Sequence, residues 1–253
     1  MWDSAPTASR EPAAVSGFRS VGDAARELLL RIPLSGATFD LAPRRNRTHG
    51  GARNRADRTS EGLSLHQCER IAAAALAAFA TGTALNRFVT IHWGLAGISD
   101  ARGAWATGRF IKLASDWCRT RGAPFLWLWV RENGASQGGH VHMLLYVPPD
   151  HSRAFAAMQR GWLRRVTGRP YRRGVIKTRP IGGSLRAAET VPEHYRTNLA
   201  NVAEYMLKGA MLDAAEVIGL GRRESSEVVI GKRAGWCQKL VSKSRSVTVR
   251  NSI

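Results

Sequence analysis

Apolar and polar positions along the chain change period from one stretch to the next, and the changes mark out elements. From Phe125 to Pro148 the sequence FLWLWVRENGASQGGHVHMLLYVP sets two apolar runs either side of a polar, glycine-rich turn, the pattern of a β-hairpin. Arg87 to Trp93, RFVTIHW, is β-branched and aromatic and reads as a further strand, and VIKTRP, between Gly174 and Pro180, as another. Helical spacing runs from Ser64, a capping residue, through an Ala- and Leu-rich stretch to about Phe79. It returns from about Arg102 to Arg119, where Trp105, Phe110, Leu113 and Trp117 form an apolar stripe, and from about Ser152 to Arg165, with Phe155, Met158 and Trp162 on one side. A fourth helix is expected over about Arg196 to Gly209, ended by that glycine. The order helix, strand, helix, hairpin, helix, strand, helix implies an α+β domain: a central, largely antiparallel sheet with helices packed on it.

Composition divides the chain further. It has 253 residues, with 38 Lys and Arg against 19 Asp and Glu, a formal charge of +19. Such an excess calls for a polyanionic partner, nucleic acid first. Residues 1–62 read as a poorly ordered basic arm with a short helix around Val21 to Arg31 and a run of Arg44, Arg45, Arg47, Arg53, Arg55 and Arg58. That run is either a solvated tail or a phosphate-tracking arm. Residues 63–220 form the expected domain, and residues 221–253 a second basic segment containing Lys232 and Arg233, also candidate nucleic-acid contacts, with Trp236 packing on the domain or stacking on a base. The longest apolar run, Ile71 to Leu85, is short of the roughly 20 residues of a membrane span, so no membrane partner is expected. The N-terminus lacks a secretory pattern. Cys68, Cys118 and Cys237 are too few and too scattered for a disulfide framework or a zinc cluster, which suits a cytoplasmic protein. Gly231-Lys232 is followed by Arg and lacks the leading glycine of a phosphate-cradling loop.

Two groups of residues carry candidate chemistry. His140 and His142 are two apart on a strand and share a face, and Glu132 lies across the turn. Two imidazoles and a carboxylate from adjacent strands suit a divalent metal with positions open for substrate; the alternative is a polar strand edge. Tyr205 and Lys208 share a helix face with Asn201. They are either a surface pair or a nucleophile beside an ammonium that favours the phenolate.

The RFVTIHW strand, the His140-Val-His142 strand and the Tyr205-x-x-Lys208 helix, in that order, resemble the three motifs of the HUH endonucleases, and among them the single-tyrosine Rep-type initiators of rolling-circle replication. The resemblance covers roughly residues 87–210 and implies an HUH, ferredoxin-like palm. It implies Mg²⁺ or Mn²⁺ on His140, His142 and Glu132, with Tyr205 attacking single-stranded or hairpin DNA to leave a 5′-phosphotyrosine and Lys208 assisting. Strand separation is then expected from a host helicase. Tyr195, ten residues before Tyr205, sits too far away for a second nucleophile. Tyr146 reads as core or sheet surface, Tyr171 as a DNA contact or as having no role, and His92 as a substrate contact outside the ligand set. The competing function is a non-catalytic nucleic-acid-binding protein. A two-histidine RNA phosphodiesterase fits poorly, because His92 is followed by Trp and Gly.

Overall fold

A computed structural model describes residues 57–134, 138–220 and 227–243. The expected helix around Val21 and the arginines Arg44, Arg45, Arg47, Arg53 and Arg55 lie outside the described residues.

The chain is α+β. Five strands form an antiparallel sheet: β2 (Arg87–His92), β3 (Leu126–Glu132), β4 (His140–Tyr146), β5 (Ile176–Pro180) and β7 (Ala234–Trp236), in the spatial order β5-β2-β4-β3-β7. A two-stranded ribbon pairs β1 (Thr59–Ser60) with β6 (Val229–Ile230). The helices are α1 (Leu65–Ala80), α2 (Asp100–Arg119), α3 (Ser152–Thr167), α4 (Ala187–Thr190), α5 (Pro192–Leu207), α6 (Leu212–Ile218) and α7 (Gln238–Lys243).

Alternation along the strands creates two apolar layers. Phe88, Leu128, Val130 and Leu144 point to a first face covered by α1 and α5. Val89, Ile91, Trp129, Val141, Met143 and Leu145 point to a second face covered by α2 and α3. The central strands β2, β3 and β4 are therefore apolar on both sides, and their sequences read as nearly continuous hydrophobic runs. Helix α1 begins with a capping box in which Gln67 N donates to Ser64 Oγ at 3.4 Å and Ser64 N to Gln67 Oε1 at 2.9 Å. Its buried Ala72, Ala74, Ala75 and Ala78 let it lie close to its neighbours.

The helix stripes differ from expectation at two positions. Trp105 is 46% exposed and is covered by the Arg102 guanidinium at 4.5 Å rather than by the core; Gly103, Ala106 and Thr107 take the inward positions. Met158 is likewise at the surface, while Phe155 and Trp162 are buried. Helix α5 starts at Pro192, earlier than expected, because proline is well suited to a first helical turn. Among the described residues no helix is long and apolar enough to cross a membrane, and all three cysteines are buried free thiols.

The segment after residue 220, expected outside the domain, supplies β7 to the central sheet. Gly235 stands opposite Trp129 in that pairing, and a Cβ on it would lie 2.7 Å from the indole. Trp236 packs against the first-face core rather than standing free. The anchor of this segment is Arg131, 1% exposed, which ion-pairs with Asp100 and donates to the carbonyls of Ile230 at 2.9 Å and Lys232 at 3.2 Å. Gly103 makes room for that guanidinium, since a Cβ there would sit 2.8 Å from Arg131 Cζ.

Removing one member of a buried ion pair leaves the other charge desolvated and uncompensated. Asp100→Ala is therefore expected to cost about 3 kcal/mol of unfolding free energy in urea titrations. Asp116→Ala, which breaks only the exposed pairs to Lys112 and Arg119, should leave the midpoint near that of the parent chain.

Candidate metal centre

Strand register brings the site together. In the β3–β4 pairing Glu132 stands opposite His140, and in the β2–β4 pairing His92 stands opposite His140 and Thr90 opposite His142. Residues paired across an antiparallel ladder point to the same face, so all five lie on the first face of the sheet. Glu132 Oε2 is 3.3 Å from His140 Nε2 and 3.6 Å from His142 Nε2. Among the described residues these three form the one group of His, Cys, Asp or Glu side chains whose donor atoms lie within 4.8 Å of one another.

The rings are aimed from behind. His140 Nδ1 lies 3.1 Å from the Gly138 carbonyl, an acceptor, so Nδ1 carries a proton and the ring is held with Nε2 toward Glu132. His142 Nδ1 pairs with Thr90 Oγ1 at 3.0 Å. Such bonds to the far nitrogen are what orients a metal-binding imidazole. His142 Nε2 and Glu132 Oε1 are buried with no hydrogen-bond partner, as ligand atoms would be. Ligands held at about 2.1 Å and at right angles sit about 3 Å apart, close to the separations seen here. The residues present therefore fit a divalent cation.

The charges agree. Burial pushes the Glu132 carboxyl up, but the adjacent His140 and His142 rings and the Lys208 ammonium outweigh burial and hold it well below the usual carboxylate range. Burial depresses His142, against the raising effect of Glu132. An ionised carboxylate beside neutral imidazole is the protonation state that ligates metal.

Helix α5 crosses this face and delivers the other two candidates. Lys208 Nζ lies 3.3 Å from Glu132 Oε2 and 4.4 Å from the centre of the Tyr205 ring. Tyr205 is 43% exposed, with its ring 5.1 Å from that of His142 and 6.0 Å, edge-on, from Phe88. Asn201, one turn earlier, is also exposed. No family model, curated protein or solved structure matches the chain.

Tyr205, Lys208, Glu132, His140 and His142 thus converge, while other candidates separate from them. Arg233 is 2% exposed: its Nε donates to Ser60 Oγ at 2.9 Å and its Nη2 to the carbonyls of Ser60 and Glu227. Its guanidinium holds the β1–β6 ribbon and is withdrawn from any surface contact, which corrects its assignment to nucleic-acid binding. Lys232 remains exposed, with Nζ 5.6 Å over the Trp129 ring. Tyr195 is buried, donates to the Leu85 carbonyl at 2.9 Å and stacks on Phe79, so it serves the core. Tyr146 is half-buried against the first-face core.

Three neighbours were not read from the sequence as parts of the site. Thr90 orients His142; its place two residues before His92 on one strand was the available signal. Lys177 stands opposite Thr90 on β5, and Arg179 opposite Phe88, both exposed on the same face. Arg179 lies 5.7 Å from the Phe88 ring. His92, expected as a substrate contact, is 6% exposed, lies 5.6 Å ring to ring from His140, and has a buried Nδ1 with no hydrogen-bond partner.

Two outcomes follow. Burial, then His140, Lys177 and His142, push the pKa of His92 down to about 4 from 6.5. Between those values the unfolded chain takes up a proton that the folded chain refuses, so stability falls as pH drops from about 6.5 to about 4. His92→Gln should shrink that acid loss, measured by urea midpoints with EDTA, by on the order of 2 kcal/mol. A divalent ion at about a hundred times its dissociation constant should raise the unfolding free energy by about 2.7 kcal/mol, and His142→Ala should remove the gain.

Proposed function

We propose that the chain is a metal-dependent endonuclease that nicks single-stranded DNA through a tyrosine and transfers the strand, acting in rolling-circle replication of a plasmid, phage or related mobile element. The observation that carries this reading is the placement of an exposed tyrosine, Tyr205, against the ring of His142, with Lys208 between it and Glu132. A pure binding protein has no need of that convergence. The order of the strand RFVTIH, the strand HVH and the Tyr-x-x-Lys helix adds the resemblance to single-tyrosine HUH initiators, and the charge of +19 suits the substrate.

In this reading the Tyr205 hydroxyl oxygen bonds to the phosphorus of a phosphodiester. The bond from phosphorus to the 3′ oxygen of the preceding nucleotide breaks. The phosphate stays on Tyr205 as a 5′-phosphotyrosine, the phenol proton passes to solvent, and the departing 3′ oxygen takes a proton from water. The Lys208 ammonium, 4.4 Å from the Tyr205 ring centre, offsets charge gathering on the phosphate. A divalent ion on Glu132, His140 and His142 supplies Lewis-acid polarisation of a phosphate oxygen, and two imidazoles beside one carboxylate favour Mn²⁺ over Mg²⁺. Because the phosphodiester energy is kept in the tyrosine link, rejoining to another 3′ hydroxyl needs no nucleotide hydrolysis. In this reading Lys177 and Arg179, exposed on the edge strand of the same face, would meet backbone phosphates.

The test is a denaturing gel of the full chain with single-stranded oligonucleotides and Mn²⁺, with and without EDTA. An SDS-resistant, metal-dependent adduct that maps to Tyr205 is expected. Tyr205→Phe should abolish the adduct and keep DNA binding within about threefold, whereas His142→Ala should abolish cleavage. Tight, salt-sensitive binding with no adduct on any oligonucleotide, the native target included, would instead make the chain a binding protein.

A further inference from the structure

A cavity of about 400 Å³ opens at the end of the sheet, between the loop after β2 and the segment joining α3 to β5. We propose that it is a subsite for one nucleotide of the single-stranded DNA, next to the position of the nick. This rests on the function proposed above and adds the place where the strand is gripped beyond the cut.

The lining has the chemistry of such a ligand. Leu95, 41% exposed, and Tyr171, partly buried, offer apolar and aromatic surface. Arg169 and Arg172, both exposed, offer guanidinium groups for a phosphate. Among the described residues no acidic side chain lines the cavity. Arg160 lies 5.3 Å from the Tyr171 ring and adds a further cation at its side. An aromatic face with flanking arginines is the combination that holds a base and its backbone without sequence preference. The volume is at the small end of the roughly 300–1,000 Å³ of ligand pockets, room for one nucleotide and too little for a duplex.

The cavity is also built rather than incidental. Gly97 has φ +74°, and a Cβ on it would collide with the Arg169 guanidinium, which lies directly over the Gly97 backbone. The loop is closed by Gly97 N donating to Gly94 O at 3.0 Å and Ile98 N to Trp93 O at 2.9 Å. The wall is joined to the metal centre through the backbone: Gly94 N donates to Gly139 O at 2.9 Å, one residue before His140, and His92 N donates to the carbonyl of Val175, a lining residue, at 2.8 Å. The metal centre lies on the first face and the cavity's Leu163, Tyr171 and Val175 belong to the second, so a strand leaving the centre enters the cavity by rounding the end of β2.

The experiment uses the full chain and a series of single-stranded oligonucleotides, each carrying one 5-iododeoxyuridine at a different position. Irradiation followed by peptide mapping should give a cross-link to Tyr171 from one or two positions adjacent to the cleaved bond. Cross-links confined to other parts of the chain would overturn the subsite. In parallel, Tyr171→Ala and Arg172→Ala, checked for an unchanged melting temperature, should each weaken oligonucleotide binding about tenfold. Arg119→Ala, which removes a charge from α2, should not. Unchanged binding by both variants, with the Tyr205 adduct still formed, overturns the subsite and leaves the nicking reading intact. A Tyr171 cross-link with no adduct on any oligonucleotide leaves a single-strand contact in the cavity but overturns both the nicking reading and the subsite's place beside a nick. Thymidine monophosphate should fail to displace the oligonucleotide at equal concentration; displacement would mean a free-nucleotide site and overturn the proposal.

Discussion

Glu132 ends β3 with a carboxylate that is 4% exposed, on a sheet face covered by a helix. An ionised carboxylate in that position costs several kcal/mol unless positive charge or hydrogen bonds surround it. The structure meets the requirement with three nitrogens around one oxygen: His140 and His142 from β4, and Lys208 from the end of α5. That requirement couples distant parts of the chain. The hairpin register must put Glu132 opposite His140, because a slip of one residue would turn both imidazoles to the other face. Helix α5 must end over the same spot, which is why Tyr205 arrives beside His142.

The neighbouring residue on β3 meets the mirror-image problem. Arg131 is a buried cation on the second face, neutralised by Asp100 at the start of α2 and by carbonyls of the Ile230–Lys232 turn. Adjacent residues of one strand thus carry opposite buried charges to opposite faces. The first assembles the candidate metal centre. The second recruits the C-terminal segment, whose β7 then covers what would be an open edge of β3. Among the described residues no second strand pairs with the opposite edge, β5, whose exposed Lys177, Arg179 and Pro180 resist pairing with another sheet.

Much of this arrangement was legible in the sequence because it is encoded locally. The strand His140–Tyr146 was visible from its period, and so was the shared direction of His140 and His142. Helices α1, α2 and α3 were visible from spacing and capping, and the turn between Glu132 and His140 from its glycines. Spacing misjudged Trp105 and Met158, since an apolar side chain at a boundary position can lie on the surface under an arginine or in solvent as readily as in the core. The short α4 and α6 have too few turns for a periodic signal.

By itself the sequence determined the alternation of strands and helices and the residues able to ligate a metal, because those depend on neighbours two to four positions apart. Only the tertiary structure decided which residues meet: that Lys208 closes on Glu132, that Thr90 and His92 flank the histidines, and that Lys177 borders them. The same is true of Arg233, a surface cation by composition and a buried strut in the fold. It donates to Ser60 across 173 positions of chain, and a contact between residues so far apart leaves no periodicity for a local reading to find.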